Sequence, residues 1–197
     1  MPFADLREWL SVLEKVGELQ RVGSEVDWNL EAGAVVRRIC ETDGPAVLFE
    51  KIKDYPEGFR LLGAPMAQSR LHRYARLAIA LDLPPESGVQ EITESYLKRR
   101  KNFIAPVIVS TAPCQEHVLT GNEIDLLKFP VPLIHGGDGG RYIGTWHTVI
   151  TKDPANAWVN YGMYRLMVLG KNRMAGLIGP IQDFQRHLSA YKILGRP

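Results

Sequence analysis

The chain has 197 residues, 45% hydrophobic and 23% charged, an ordinary globular balance with enough length for one or two domains and a real core. Its 24 Lys and Arg against 22 Asp and Glu leave a net charge of +2, which argues against a dedicated nucleic-acid binder. Cys40 and Cys114 lack metal-ligand spacing, the start is no signal peptide, and no run approaches the roughly 18 apolar residues of a membrane span, so a cytoplasmic protein with reduced thiols is expected.

Leu6, Trp9, Leu10 and Leu13 fall at helical spacing, and Gly17 ends this first helix. Glu18 to Asp27 alternates as a strand, and a second helix runs from about Leu30 to Glu41. Two short strands follow, Ala46–Phe49 and Phe59–Gly63, then helices over Arg70–Leu81 and Val89–Lys101. The basic end Leu97-Lys98-Arg99-Arg100-Lys101 reads as a solvated helix terminus, where cations complement the dipole. Ala105 to Ser110 reads as a strand, with Pro106 near its start where a missing N–H is tolerated.

The second half changes character. Pro130, Pro132, Gly136, Gly137, Gly139 and Gly140 make a turn-rich loop. Three β-prone runs follow, Tyr142–Thr151, Trp158–Leu169 and Arg173–Ile178, separated by turns at Asp153-Pro154 and Gly170-Lys171-Asn172. They read as consecutive antiparallel strands, followed by a helix from about Gln182 to Leu194. The expected boundary lies near residues 112–125, giving domains 1–115 and 116–197. So few strands cannot close a barrel, and the second domain reads as incomplete.

One stretch points to a family. Asp138-Gly139-Gly140-Arg141-Tyr142-Ile143, Thr145, Val149 to Pro154 and Trp158-Val159-Asn160-Tyr161-Gly162-Met163-Tyr164-Arg165 resemble the central signature of the UbiD family. The resemblance continues through Gly170 to Ile178 and Gln182, and the opening Leu6-Arg7, Gly17-Glu18-Leu19 and Gly44 to Glu50 agree in order. It implies an α+β chain: an N-terminal α/β domain, then the first part of a split β-barrel similar to flavin reductases. It also implies a reversible, non-oxidative decarboxylase of aromatic or α,β-unsaturated acids. Such enzymes use prenylated FMN, made by a flavin prenyltransferase, with Mn²⁺ or Mg²⁺ and often K⁺.

The resemblance assigns candidate residues one by one. Asn160 matches the family's metal-binding asparagine, and an amide carbonyl suits a hard cation. Arg165 matches the substrate-facing arginine, whose guanidinium can pair bidentately with a carboxylate or phosphate. It stands five residues after Asn160, so a regular strand would turn the two to opposite faces unless it bends, which Gly162 permits. Met163, Tyr164, Leu177, Ile178 and Gly179 match the flavin wall, Thr145 a position near the flavin phosphate, and the Trp158 carbonyl the monovalent cation. Gln182-Asp183 stands where fungal-type members carry Gln-His with a metal-binding histidine. Asp183 is thus a second metal candidate or, equally, a helix-start acid. His135 and His147 read as turn or sheet residues. His187, one turn beyond Asp183, shares its helix face and is a candidate auxiliary ligand.

In the family the metal-completing glutamate and the acids that protonate the product lie beyond the point this chain reaches, and Gly195-Arg196-Pro197 looks like a linker into the next strand. Three arrangements are open: part of a full decarboxylase, one piece of a split enzyme, or a non-catalytic flavin- or partner-binding module. The first two predict an exposed apolar sheet edge and face, hence tight association as a homo-oligomer or with a chain supplying the missing barrel half, and the third a soluble monomer with polar residues there. The apolar run Arg165-Leu166-Met167-Val168-Leu169 favours them.

Overall fold

The computed structural model describes residues 3–196. Met1 and Pro2 at the start, and Pro197 of the expected linker, lie outside the described residues.

The first half is a small sheet covered on both sides. Helix α1 (Leu6–Lys15) leads to strand β1 (Leu19–Val26), helix α2 (Glu31–Glu41), strand β2 (Ala46–Ile52) and strand β3 (Leu61–Gly63). The order is β1-β2-β3, with β1 parallel and β3 antiparallel to the central β2. Because successive residues of a strand face opposite ways, β2 feeds two cores. Ala46 and Leu48 pack with Trp9, Leu10 and Leu13 of α1, Leu19, and Ile79 of helix α3 (Ala75–Ala80). Val47 and Phe49 pack with Val26, Ile52 and Ala32, and Val35, Val36 and Ile39 of α2 close that side.

A buried ion pair locks these layers. At the end of α1 the Gly17 N–H bonds the Glu14 carbonyl (3.1 Å) and the Glu18 N–H bonds the Leu13 carbonyl (2.8 Å), which turns Glu18 inward. The Arg76 side chain is 0% exposed and donates to Glu18 Oε2 (2.8 Å) and to the Gly44 carbonyl (2.9 Å). Its other amino group donates to the carbonyls of Ala67 and Gln68, both at 2.7 Å, and Ser69 Oγ donates to Glu18 Oε1 at 2.7 Å. Burial draws the guanidinium below its ordinary pKa, and Glu18 opposes that shift.

Helix α4 (Val89–Arg100) and short 3₁₀ turns at Pro113–Gln115, Gly121–Glu123 and Leu126–Lys128 lead into the second half. That half holds strands β4 (Tyr142–Gly144), β5 (Val149–Lys152), β6 (Val159–Gly162), β7 (Leu166–Gly170) and β8 (Arg173–Gly176), then helix α5 (Asp183–Ile193). They form an antiparallel sheet β4-β7-β8 and a separate β5–β6 hairpin. The two halves are joined by backbone. Leu133 donates to the Trp28 carbonyl (3.0 Å) and accepts from the Leu30 N–H (2.9 Å). Gly33 of α2 lies so close to the Ile134 carbonyl that a Cβ there would collide with it. Arg141 stacks over the Trp28 ring at 3.9 Å and donates to the Tyr55 hydroxyl and the Val131 carbonyl.

Several expected elements differ. Ala105–Ser110 is not a strand: it pairs with no described strand, and Val107 and Ile108 are 82% and 98% exposed. The helix expected over Arg70–Leu81 begins only at Ala75, because the Arg70 N–H is taken by the Asp43 carbonyl (3.0 Å) and its Nε by the Thr42 carbonyl (2.6 Å). The runs Tyr142–Thr151 and Trp158–Leu169 are each broken, the second at Met163–Arg165. Phe59–Gly63 and Arg173–Ile178 shorten to β3 and β8.

Replacing Arg76 by Met leaves the Glu18 carboxylate buried without its partner. The expected loss is about 3–5 kcal/mol of stability, read from the urea midpoint of the full chain.

Candidate functional site

The β5–β6 hairpin builds the site. Its turn is set by Asp153, whose Oδ1 accepts the N–H groups of Ala155 (2.8 Å) and Asn156 (3.2 Å), while Asn156 Oδ1 accepts the Trp158 N–H (2.7 Å). This turn fixes the register, so Thr151 faces Asn160 and Val149 faces Gly162. These four share the half-buried face, and Ile150, Lys152, Val159 and Tyr161 point outward.

Helix α5 covers the inner face. His187, 1% exposed, places Nδ1 2.9 Å from Thr151 Oγ1, and its ring meets Trp158 edge-to-face at 4.5 Å. The buried Tyr164 ring meets Phe184 edge-to-face at 5.0 Å. That ring folds back over Gly162, where any Cβ would strike it, so glycine permits the bend between β6 and β7. Asn160 Nδ2 then donates to the Tyr164 hydroxyl (3.2 Å) and, at the limit of bonding, to Thr151 Oγ1 (3.5 Å). Its Oδ1 accepts no hydrogen bond from a described residue.

Asp183 is the first residue of α5, half-buried, with Arg186 3.7 Å away. It is therefore a first-turn acid complementing the helix dipole. Gln182 occupies the N-cap position, and its Oε1 accepts the Gly179 N–H at 2.6 Å.

Arg165 lies in different surroundings. It donates to Asp138 Oδ1 (2.7 Å) and stacks over Tyr142 at 3.6 Å. With Thr145, Tyr142, Phe59, Phe129 and Ile134 it lines a largely apolar cavity of about 770 Å³ between the two halves. Arg165 holds the Asp138 carboxyl below its ordinary pKa, aided by the His135 N–H.

The sequence candidates thus fall into two groups. Asn160, Tyr164, Gly179, Gln182 and Asp183 lie on β6 and around the start of α5, whereas Arg165 and Thr145 line the cavity. Between β6 and β7 Met163 is 63% exposed, and beyond β8 Leu177 is 93% exposed and Ile178 half-buried. His135 sits in a turn 3.4 Å from Asp138, and the His147 ring packs over Gly144 with both nitrogens buried and unpartnered. Sequence reasoning passed over Asp138 and Thr151. The Thr151–Asn160 pairing centres between residues 155 and 156, beyond the expected Asp153-Pro154 turn, and the Asp138–Arg165 pair joins residues 27 apart and had no local signal. Among the described residues no group of three or more His, Cys, Asp or Glu could hold a metal, so any metal here needs donors beyond Asn160 and Asp183.

Two family models match the chain: the 3-octaprenyl-4-hydroxybenzoate carboxy-lyase N-terminal domain over residues 10–96, and the Rift-related domain of the same carboxy-lyase over residues 106–197. The chain is 38% identical over 196 residues to a pyrrole-2-carboxylic acid decarboxylase of Pseudomonas aeruginosa, covering 98% of itself and 40% of that protein. It is 34% identical over 206 residues to ferulic acid decarboxylase 1 of Candida dubliniensis, covering 99% of itself and again 40% of the relative. Among solved structures it is similar to an evolved dimeric form of the UbiD-class enzyme HmfF from Pelotomaculum thermopropionicum in complex with prFMN. The TM-score is 0.84 at 31% identity, over 99% of this chain and 43% of that one. The chain therefore spans about two-fifths of the length of these relatives.

The Asp138 carboxyl is expected to titrate below the usual aspartate range and to move back toward it in Arg165→Gln, as read by carbon NMR. Because its folded pKa is depressed, the stability from this contact is complete above the ordinary carboxylate pKa and disappears as pH falls through the folded value.

Proposed function

Since the chain belongs to the UbiD family, we propose that it is the N-terminal part of a carboxy-lyase that removes or adds carbon dioxide, without oxidation, on an aromatic or α,β-unsaturated acid. The observation that carries this reading is Asn160: its amide nitrogen is tied to two hydroxyls while its carbonyl oxygen is left without a protein donor. A divalent cation needs such an oxygen.

The donor chemistry fits a hard cation. Asn160 Oδ1 and the Asp183 carboxylate are oxygen ligands of the kind Mn²⁺ and Mg²⁺ prefer, and the remaining positions fall to a cofactor phosphate, water or later protein groups. The Trp158 carbonyl, which already accepts the Asp153 N–H (2.9 Å), has a second lone pair for K⁺. The exposed Met163 and Leu177, with Ile178, Gly179, Tyr164 and Gln182, offer an apolar and amide surface for a flavin ring, and Thr145 a hydroxyl for its phosphate end. Prenylated FMN, when bound, supplies the electron sink for loss of carbon dioxide.

The chain's own contribution is binding and orientation. One N–H of Arg165 is spent on Asp138, and the guanidinium keeps further donors for a substrate carboxylate. The acid that protonates the product carbon is assigned to the polypeptide that completes the enzyme. In this reading residues 1–115 are an α/β domain and 116–197 the first strands of a split barrel. The near-complete exposure of Phe103, Ile104, Val107 and Ile108 supports a further chain segment or subunit covering this surface.

Co-expressed with a flavin prenyltransferase and joined to its completing half, the chain is expected to carry flavin absorbance and about one manganese per site. Arg165→Ala is expected to abolish turnover of the complete enzyme while leaving flavin bound. Unchanged turnover removes Arg165 from the reaction. Flavin binding without turnover in the unaltered complete enzyme favours a non-catalytic flavin-binding subunit instead.

A further inference from the structure

A buried histidine behind Asn160 has no role in the reading above. His187 is 1% exposed at the middle of α5, and its only hydrogen bond among the described residues is from Nδ1 to Thr151 Oγ1, 2.9 Å. Its other nitrogen, Nε2, is buried without a partner. Thr151 in turn faces Asn160 across the hairpin and lies 3.5 Å from its amide nitrogen. The three side chains form one relay, from helix to strand to strand.

Thr151 has one proton to give and two lone pairs that accept, so three arrangements of the relay exist. In the first, Asn160 Nδ2 donates to Thr151, and Thr151 donates to a bare Nδ1, so the imidazole carries its proton on Nε2. Asn160 Oδ1 is then turned outward. In the second, Nδ1–H donates to Thr151, Thr151 donates to Oδ1, and the amide presents its NH₂ group outward, where no cation can bind. In the third, Thr151 accepts from both Nδ1–H and Asn160 Nδ2, and its own proton finds no acceptor among the described residues.

The surroundings select the first. The imidazole lies edge-to-face with Trp158, their centroids 4.5 Å apart and their planes at 80°. Among the described residues the Thr151 hydroxyl has one acceptor for its proton, His187 Nδ1, so that nitrogen is bare and the ring proton sits on Nε2. The Tyr164 hydroxyl, 3.2 Å from Asn160 Nδ2, accepts the second amide proton in the same arrangement.

We infer that His187 is a positioning residue, not a metal ligand: through Thr151 it fixes the amide of Asn160 with the carbonyl oxygen outward. The same contact ties α5, and hence Asp183, to the strand that carries Asn160. The inference rests on Asn160 as the ligand of a divalent cation, and it requires that His187 be held in the Nε2–H form before any metal arrives.

The full chain, labelled with ¹⁵N-histidine and free of metal, tests the ring directly. The expected spectrum at neutral pH shows His187 with Nε2 protonated and Nδ1 bare. A proton on Nδ1, in a neutral or cationic ring, overturns the relay. In the enzyme joined to its completing half and loaded with flavin, manganese titration of Thr151→Val is expected to show binding weakened by about 10- to 100-fold, as when a partner of a metal ligand is removed, and Thr151→Ser to restore it. Equal affinity in Thr151→Val and the unaltered chain overturns the positioning role. Absence of manganese binding in the unaltered complete, flavin-loaded enzyme, with the Nε2–H form present, instead removes Asn160 as a ligand and leaves the relay standing.

Discussion

The fold of the first half hangs on a charge that water cannot reach. A guanidinium taken wholly out of solvent is costly unless its donors are matched, and four of Arg76's bonds are matched by Glu18 and three backbone carbonyls. Those partners come from the end of α1, the turn before β2 and the loop before α3, segments that no single secondary element would hold together. The cores on either face of β2 supply the bulk of the driving force. The ion pair ties α3 to the end of α1, where Arg76 meets Glu18.

From that frame the site is reached by a chain of backbone contacts. The loop before β4 is clamped to the first half by Leu133, by the close approach of Ile134 to Gly33, and by Arg141 on Trp28. Arg165 meets Asp138 and Tyr142 on the far side of this clamp. Asn160 belongs to a separate hairpin covered by α5 and the returning ring of Tyr164. The break at Met163–Arg165 serves both: it folds Tyr164 back over Gly162 toward Asn160 and sends Arg165 toward the cavity. A regular strand would have put the two residues on opposite faces with nothing between them. The bend gives each its own partners instead.

Much of this was legible in the residues. The helical spacing of Leu6 to Leu13, the stop at Gly17, the hairpin turns and the start of α5 at Gln182-Asp183 are local properties, and local chemistry decides them. Ala105–Ser110 is not a strand because a β-branched run such as Val107-Ile108-Val109 says that a segment can pair, not that a partner strand is placed beside it. The helix before Ala75 failed because its first turn is claimed by carbonyls around Asp43, more than 25 residues earlier in the chain.

The sequence by itself determined the family, the sites of the turns and which residues carry donors suited to a cation, a flavin and a carboxylate, because these depend on residue type and order. Only the tertiary structure decided how those donors are oriented. It paired Arg165 with Asp138, left Asn160 with one free oxygen, and buried His187 behind Thr151. Each of these joins residues from separate elements, and the direction of a hydrogen bond is set by what lies at its far end rather than by its neighbours in the chain.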